Sequence, residues 1–171
     1  MRPLGDFMGQ ELRWVHPRVF KREYELYAGD ELVATLHWPK AFSSKALAEA
    51  ADGRWMIKRE GFFQAKIVVC PADEEMTIAT MKRGMNGKGT LAFADGRGFK
   101  WASVSFWRGE WGWFSDEGTS LLRFKRGKRV EVEPMAFSLP ETALLVLLGF
   151  YLVKVAEEEA AAAATTVAVT G

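Results

Sequence analysis

A single cysteine, Cys70, and two histidines, His16 and His37, are all the thiol and imidazole ligands this 171-residue chain possesses. One cysteine makes no intrachain disulfide, so the fold rests on its core, and the usage fits a reducing compartment. Zinc sites draw three or four Cys, His or acidic ligands at close spacing, and no such cluster occurs. An excess of charge is lacking too. Twenty-three basic against 22 acidic side chains leave +1, where a nucleic-acid-binding domain is as a rule strongly basic. No apolar run reaches the roughly 20 residues of a membrane span. The longest, Thr142 to Val153, lies between Glu141 and Lys154 and reads as a core helix. The N-terminus, MRPLGDFMGQEL, is broken by Asp6 and Glu11 and lacks the apolar core of a secretory signal. These absences predict a cytoplasmic protein with no cofactor, no membrane span and no nucleic-acid partner.

What the chain does have is apolar content, 49% hydrophobic and 13% aromatic, which excludes global disorder. Most of it reads as short strands. In Glu31 to Trp38, Leu32, Ala34, Leu36 and Trp38 alternate with Glu31, Thr35 and His37. Phe62 to Cys70 sets Phe63, Ala65, Ile67 and Val69 on one face, and Val19 to Tyr27 sets Phe20, Tyr24 and Leu26 inside. Such alternation marks antiparallel strands with one wet face. Turns fall at Ala28-Gly29-Asp30, Asp52-Gly53, Asp95-Gly96, Asp116-Glu117-Gly118 and Arg126-Gly127-Lys128, where Asp and Gly supply left-handed backbone angles. Eleven or twelve strands are counted between Glu11 and Glu133. Ser44 to Ala51 reads as a short helix or an irregular crossover, and Gly84 to Gly89 as a loop.

The C-terminal helix explains the strand count. Ser138 and Glu141 have capping-box spacing with Pro140 in the first turn,. Ala143 to Val153 then covers every azimuth with apolar residues, so the helix must be surrounded. A barrel of about eight strands is filled by its own side chains; a dozen leave a wider lumen. The expected fold is mainly β: a closed antiparallel barrel of about twelve strands with the hydrophobic helix, residues 140–156, threaded through its centre. Residues 1–10 form a lead-in, 11–156 the barrel and its helix, and 157–171 an acidic, alanine-rich tail. Glu157 to Ala164 can extend the helix into solvent, and the last several residues are expected to be loosely held.

Several segments carry a family resemblance. They are Tyr24 to Tyr27 with the Gly29 turn, Ala51 to Trp55, Phe93 to Gly96, Trp101 to Trp113, and Leu139-Pro140 leading into Leu144 to Leu152. In order and spacing, from about Glu11 to Val155, the chain resembles the tubby C-terminal-like superfamily, which includes LURP-one-related proteins and phospholipid scramblases. The resemblance implies a barrel threaded by a helix, meeting acidic lipids or acting as an intracellular adaptor. The cysteine-rich and acidic calcium-loop segments of scramblases have no counterpart here, so no ligand-contacting residues carry over.

No catalytic constellation emerges, and an enzyme is not expected. His16 precedes a proline and His37 lies on a wet strand face; there is no G-x-S-x-G elbow. The glycine-rich Gly84 to Gly89 lacks the Lys-Ser/Thr of a P-loop, and a strand follows it rather than a helix. Asp73-Glu74-Glu75 and Asp116-Glu117 read as solvated turn acids, and Cys70 as a buried strand residue. Phe99, Trp101, Phe106, Trp107, Trp111, Trp113 and Phe114 are assigned to the core ahead of a stacking platform. Gly53-x-Trp55 is similar to the lipocalin G-x-W element, whose partner helix packs outside.

One cluster invites a ligand. Arg123, Lys125, Arg126, Lys128 and Arg129 put five bases in seven residues. With Gly127 at the turn, Arg123 faces Glu131 and Lys125 faces Arg129, a like-charge pair that an anion would relieve. The expected partner is an anionic phospholipid head group or an acidic protein segment. Two readings compete: a membrane-associated scramblase-like protein whose greasy helix enters lipid, and a barrel that binds small molecules or carbohydrate through its tryptophans.

Overall fold

The computed structural model describes residues 1–61 and 66–170. Twelve strands form the wall: β1 (Leu12–Val15), β2 (Glu23–Ala28), β3 (Glu31–His37), β4 (Ala46–Ala50), β5 (Gly53–Glu60), β6 (Lys66–Pro71), β7 (Ala79–Arg83), β8 (Gly89–Phe93), β9 (Gly98–Ser105), β10 (Glu110–Ser115), β11 (Ser120–Lys125) and β12 (Arg129–Val132). Each pairs antiparallel with its neighbours in sequence, and β1 pairs with β12, so the barrel is closed and no edge is left unpaired,. A single long helix, α1 (Thr142–Thr170), follows.

Register passes apolar side chains from strand to strand. Leu12 stands opposite Val130, Trp14 opposite Leu26, Ile57 opposite Val69, Met81 opposite Leu91, and Trp101 opposite Trp113. All of them are buried. Every residue of α1 from Thr142 to Leu152 is buried as well, as its all-round apolar sequence requires. Opposite arcs of the wall reach this one segment. Trp113 donates its indole N–H to the Leu145 carbonyl at 2.8 Å. Phe150 stacks on Trp14 at 4.2 Å, and Tyr151 stacks on Trp38 at 5.5 Å. At Gly149 an added Cβ would lie 2.2 Å from Phe124, so the helix meets β11 at a point where only hydrogen fits.

Several expectations need correction. Ser44 to Ala51 is neither helix nor crossover: Ala46, Ala48 and Ala50 are the buried positions of strand β4. Alanine's high helix propensity hides the period of two, while its small size lets the wall approach α1. The strand expected from Val19 begins only at Glu23, and Phe20 is fully exposed rather than inside. The capping box does not form. Ser138 donates to the Met135 carbonyl, Thr142 to the Ala136 carbonyl, and the buried Glu141 carboxylate pairs with Arg97. The helical extension expected as far as Ala164 runs on to Thr170. Part of the strand read from Phe62, with Phe63 and Ala65, lies outside the described residues.

The lead-in also contributes. A 3-10 turn, Leu4–Phe7, buries Leu4 and Phe7. Val68 and Cys70 are buried on β6, with the Cys70 thiol within 3.8 Å of the Glu75 carbonyl and Thr77 hydroxyl of the following loop.

Candidate functional site

Because consecutive strands are antiparallel neighbours throughout, alternate connections lie at opposite ends of the barrel. One end carries β1–β2, β3–β4, β5–β6, β7–β8, β9–β10 and β11–β12; the other carries the remaining turns and the segment entering α1. The two ends differ in charge. At the first, the described connections HPRVFKR, WPKAFSSK, GMNGK, FWRG and RGK hold nine lysines and arginines and no carboxylate. At the second, GD, AD, ADEEMTI, ADGR, DEGT and EPMAFSLPE hold ten carboxylates and one base, Arg97. That base is committed: it pairs with Asp95 at 2.8 Å and with Glu141. Its hydrogen bonds hold the Asp95 carboxyl below the usual carboxylate range,.

Exposed aromatic rings segregate in the same way. Phe20, Phe42, Phe106 and Trp107, every exposed phenylalanine or tryptophan among the described residues, stand on the basic end. Val19 and Met85 accompany them. Phe106 and Trp107 thus depart from the core assignment that Phe99, Trp101 and Trp113 follow. Trp111 is half-buried, stacked on Trp101 with ring centroids 5.9 Å apart.

At this end arginines grip the stretch of α1 that follows its buried residues. Glu158 accepts from Arg22 at 2.6 Å; Glu159 accepts from Arg83 at 3.2 Å and lies 3.5 Å from Arg59. Lys154 bonds Glu157 at 2.6 Å and sits 4.9 Å over the Tyr24 ring. Burial opposes the charge on Lys154, but these partners outweigh it and its pKa is raised. The helix acids are therefore matched by Arg22, Arg59, Arg83 and Lys154, and the eight other loop bases are additional to that clamp.

The basic hairpin has the expected register: Arg123 opposite Glu131 and Lys125 opposite Arg129. It does not converge on one pocket. Arg123, Lys125 and Arg129 lie on the outer wall, where Lys125 pairs with Glu131 and Arg129 lies 3.8 Å from Glu11. The hydrogen bond from Lys125 holds the Glu131 carboxyl below its ordinary value. Arg129 also faces Arg13 across β1. Arg126 and Lys128 belong to the basic end instead. Arg126 donates to the Arg108 carbonyl at 2.9 Å, tying two loops together. Lys128, with a left-handed φ of 62°, places its ammonium 5.9 Å from the Tyr24 ring.

Elsewhere the outer wall carries a groove of 820 Å³ beside β1 and β2, lined by Glu11, Arg13, Glu25, Tyr27 and Asp30 among others. Its charges are mixed, and Glu25 accepts the Tyr27 hydroxyl at 2.8 Å, raising that phenol's pKa. Asp73 to Glu75 and Asp116-Glu117 are exposed turn acids, and His16 approaches the Lys21 carbonyl at 2.6 Å. Among the described residues no three His, Cys, Asp or Glu side chains are grouped as a metal site, and no helix is long and apolar enough to cross a membrane.

The loops of the basic end were legible only through parity. Colouring alternate turns of a meander exposes the segregation, but the parity of every turn after residue 44 depends on counting β4 as a strand. No family model, curated protein or solved structure matches the chain.

Proposed function

We propose that the protein is a non-catalytic binding domain of the tubby-like type it resembles, with its helix threaded through the barrel, engaging an anionic partner through the basic end. The segregation of charge carries this reading. Acids at the opposite end have a structural reason to be there, since aspartate and glycine make tight turns. Nothing in turn geometry calls for nine bases and no acid in loops of three to eight residues. A pole of one sign steers and holds a partner of the other. Of the five hairpin bases, Arg126 and Lys128 belong to this surface, whereas Arg123, Lys125 and Arg129 sit among wall carboxylates. Burial of Trp101, Trp113 and the whole of Thr142 to Leu152 weighs against an open-lumen carrier. A cytoplasmic setting is part of the proposal.

Fluorescein-labelled poly-L-glutamate, followed by anisotropy, tests it. Binding is expected to weaken by more than about tenfold between 50 and 300 mM salt. Arg18→Glu/Lys21→Glu/Lys40→Glu should abolish most of it, while Lys125→Glu/Arg129→Glu changes it by less than about threefold. Equal binding by all three proteins, or by none, overturns the proposal.

A further inference from the structure

We infer that the acidic end holds a binding site of its own, for a small organic primary ammonium ion, independent of the anionic partner proposed above. A cavity of 400 Å³ lies there, lined from the β8–β9 turn, the β6–β7 connection and the segment entering α1. Trp55, Ile78, Phe93 and Leu144 give it apolar walls, and Glu141, Asp95 and Arg97 give it charge. Ligand sites take this form, with apolar walls, a few convergent polar groups and a volume of roughly 300–1,000 Å³. The Trp55 ring has a fixed seat. A Cβ on Gly53 would lie 2.7 Å from it, so only a glycine lets the indole rest on the strand, and the Gly53-x-Trp55 pair gains a purpose.

Glu141 is the group that calls for a ligand. It is 5% exposed, and among the described residues neither of its carboxylate oxygens accepts a hydrogen bond. Arg97 is its ionic partner, but the same guanidinium serves Asp95 at 2.8 Å. Two carboxylates sharing one guanidinium leave a negative charge over. An ionised carboxylate has about four lone-pair sites, and leaving them unfilled in an interior is costly. An acid beside a helix N-terminus is ordinary, since the helix dipole favours it. Such an acid normally meets backbone amides or solvent, and Glu141 is enclosed without an amide bond.

A primary ammonium supplies three N–H donors and the missing positive charge. Its apolar body suits Trp55 and Phe93, whose ring faces also attract cations; Arg97 already sits 5.5 Å over Phe93. An anion would instead meet a guanidinium shared by two carboxylates, at an end with ten acids and one base. A divalent metal would find no group of three His, Cys, Asp or Glu side chains among the described residues. The acidic pole draws cations toward this cavity.

2-Phenylethylamine is titrated into the full chain by calorimetry, with phenylacetate as an anion of similar body. The amine is expected to bind with a dissociation constant below about 1 mM, and phenylacetate at least about tenfold more weakly. Glu141→Gln should weaken the amine more than about tenfold. Ile78→Trp, which fills the cavity and leaves the carboxylate in place, should do the same, so the test survives an unstable glutamine variant. The Trp55 indole N–H resonance should shift during the titration. Arg18→Glu/Lys21→Glu/Lys40→Glu, at the far end, should bind the amine within about threefold of the parent. No amine binding at about 10 mM, equal binding of phenylacetate, unchanged affinity in Ile78→Trp, or binding that leaves Trp55 unmoved overturns the site.

Discussion

Trp107 and Trp113 stand six residues apart in opposite surroundings, one 88% exposed on a loop tip and the other fully enclosed against Leu145. Iodide should therefore quench a Trp107 component at once and leave the blue-shifted emission of Trp101 and Trp113 nearly untouched. Uniform quenching would contradict the enclosure. Tyr151 gives a second reading of the interior. Burial pushes its phenol up to about 12, with Arg59 and the Ser44 hydrogen bond acting against that rise. The unfolded chain would lose this proton near pH 10. Folded protein thus holds a proton that unfolded protein has released, and the associated stability, whole below pH 10, is lost as pH climbs through about 12. The slope is about 1.4 kcal/mol per pH unit between those values. Urea midpoints from pH 9 to 12 should show it, and Tyr151→Phe should flatten that limb. An unchanged limb would mean that the phenol is wet.

At the level of elements, α1 carries an unbroken buried run from Thr142 to Leu152. Leu147 is fully buried, and an aspartate there would be an unpaired charge in an apolar interior. Its cost of several kcal/mol rivals the about 5–15 kcal/mol that holds a domain together. Leu147→Asp should not fold cooperatively, whereas Val167→Asp, on the exposed stretch, should unfold within a degree or two of the parent. A cooperative Leu147→Asp transition would contradict the central role of the helix. The sequence announces this element because an all-round apolar helix has one explanation. It announces β4 poorly, because alanines alternating with Leu47 and Glu49 suit a helix by propensity and a strand only by context. The false capping box has a similar cause. Ser138 and Glu141 have the right spacing, but Glu141 is drawn to Arg97 from β8–β9, a partner 44 residues away that no local pattern contains.

For the whole molecule, a formal charge of +1 conceals two poles. Near neutral pH and low salt the protein should be retained by both cation and anion exchangers, released from each as rising salt shortens the Debye length, about 10 Å at 0.1 M. Flow-through on either resin would contradict the polarity. Composition averages the poles away, which is why the hairpin Arg123 to Arg129 stood out in sequence while Phe42 or Lys21 did not. Clustering along the chain is visible in a string of letters. Clustering around a rim, assembled from loops up to a hundred residues apart, needs the topology first.

The order of the parts along the chain has its own consequence. The wall closes only when β12 reaches β1, pairing Leu12 with Val130, and the buried segment Thr142 to Leu152 is made after both. Until α1 follows the strands out of the ribosome, their inward faces have nothing to pack against, so the domain gains no stable core during most of its synthesis. Folding is then a late, nearly simultaneous event, and a chain stalled before Leu152 exposes more apolar surface than at any other stage. Such nascent chains should bind holding chaperones strongly and let go within a few residues of the helix becoming free.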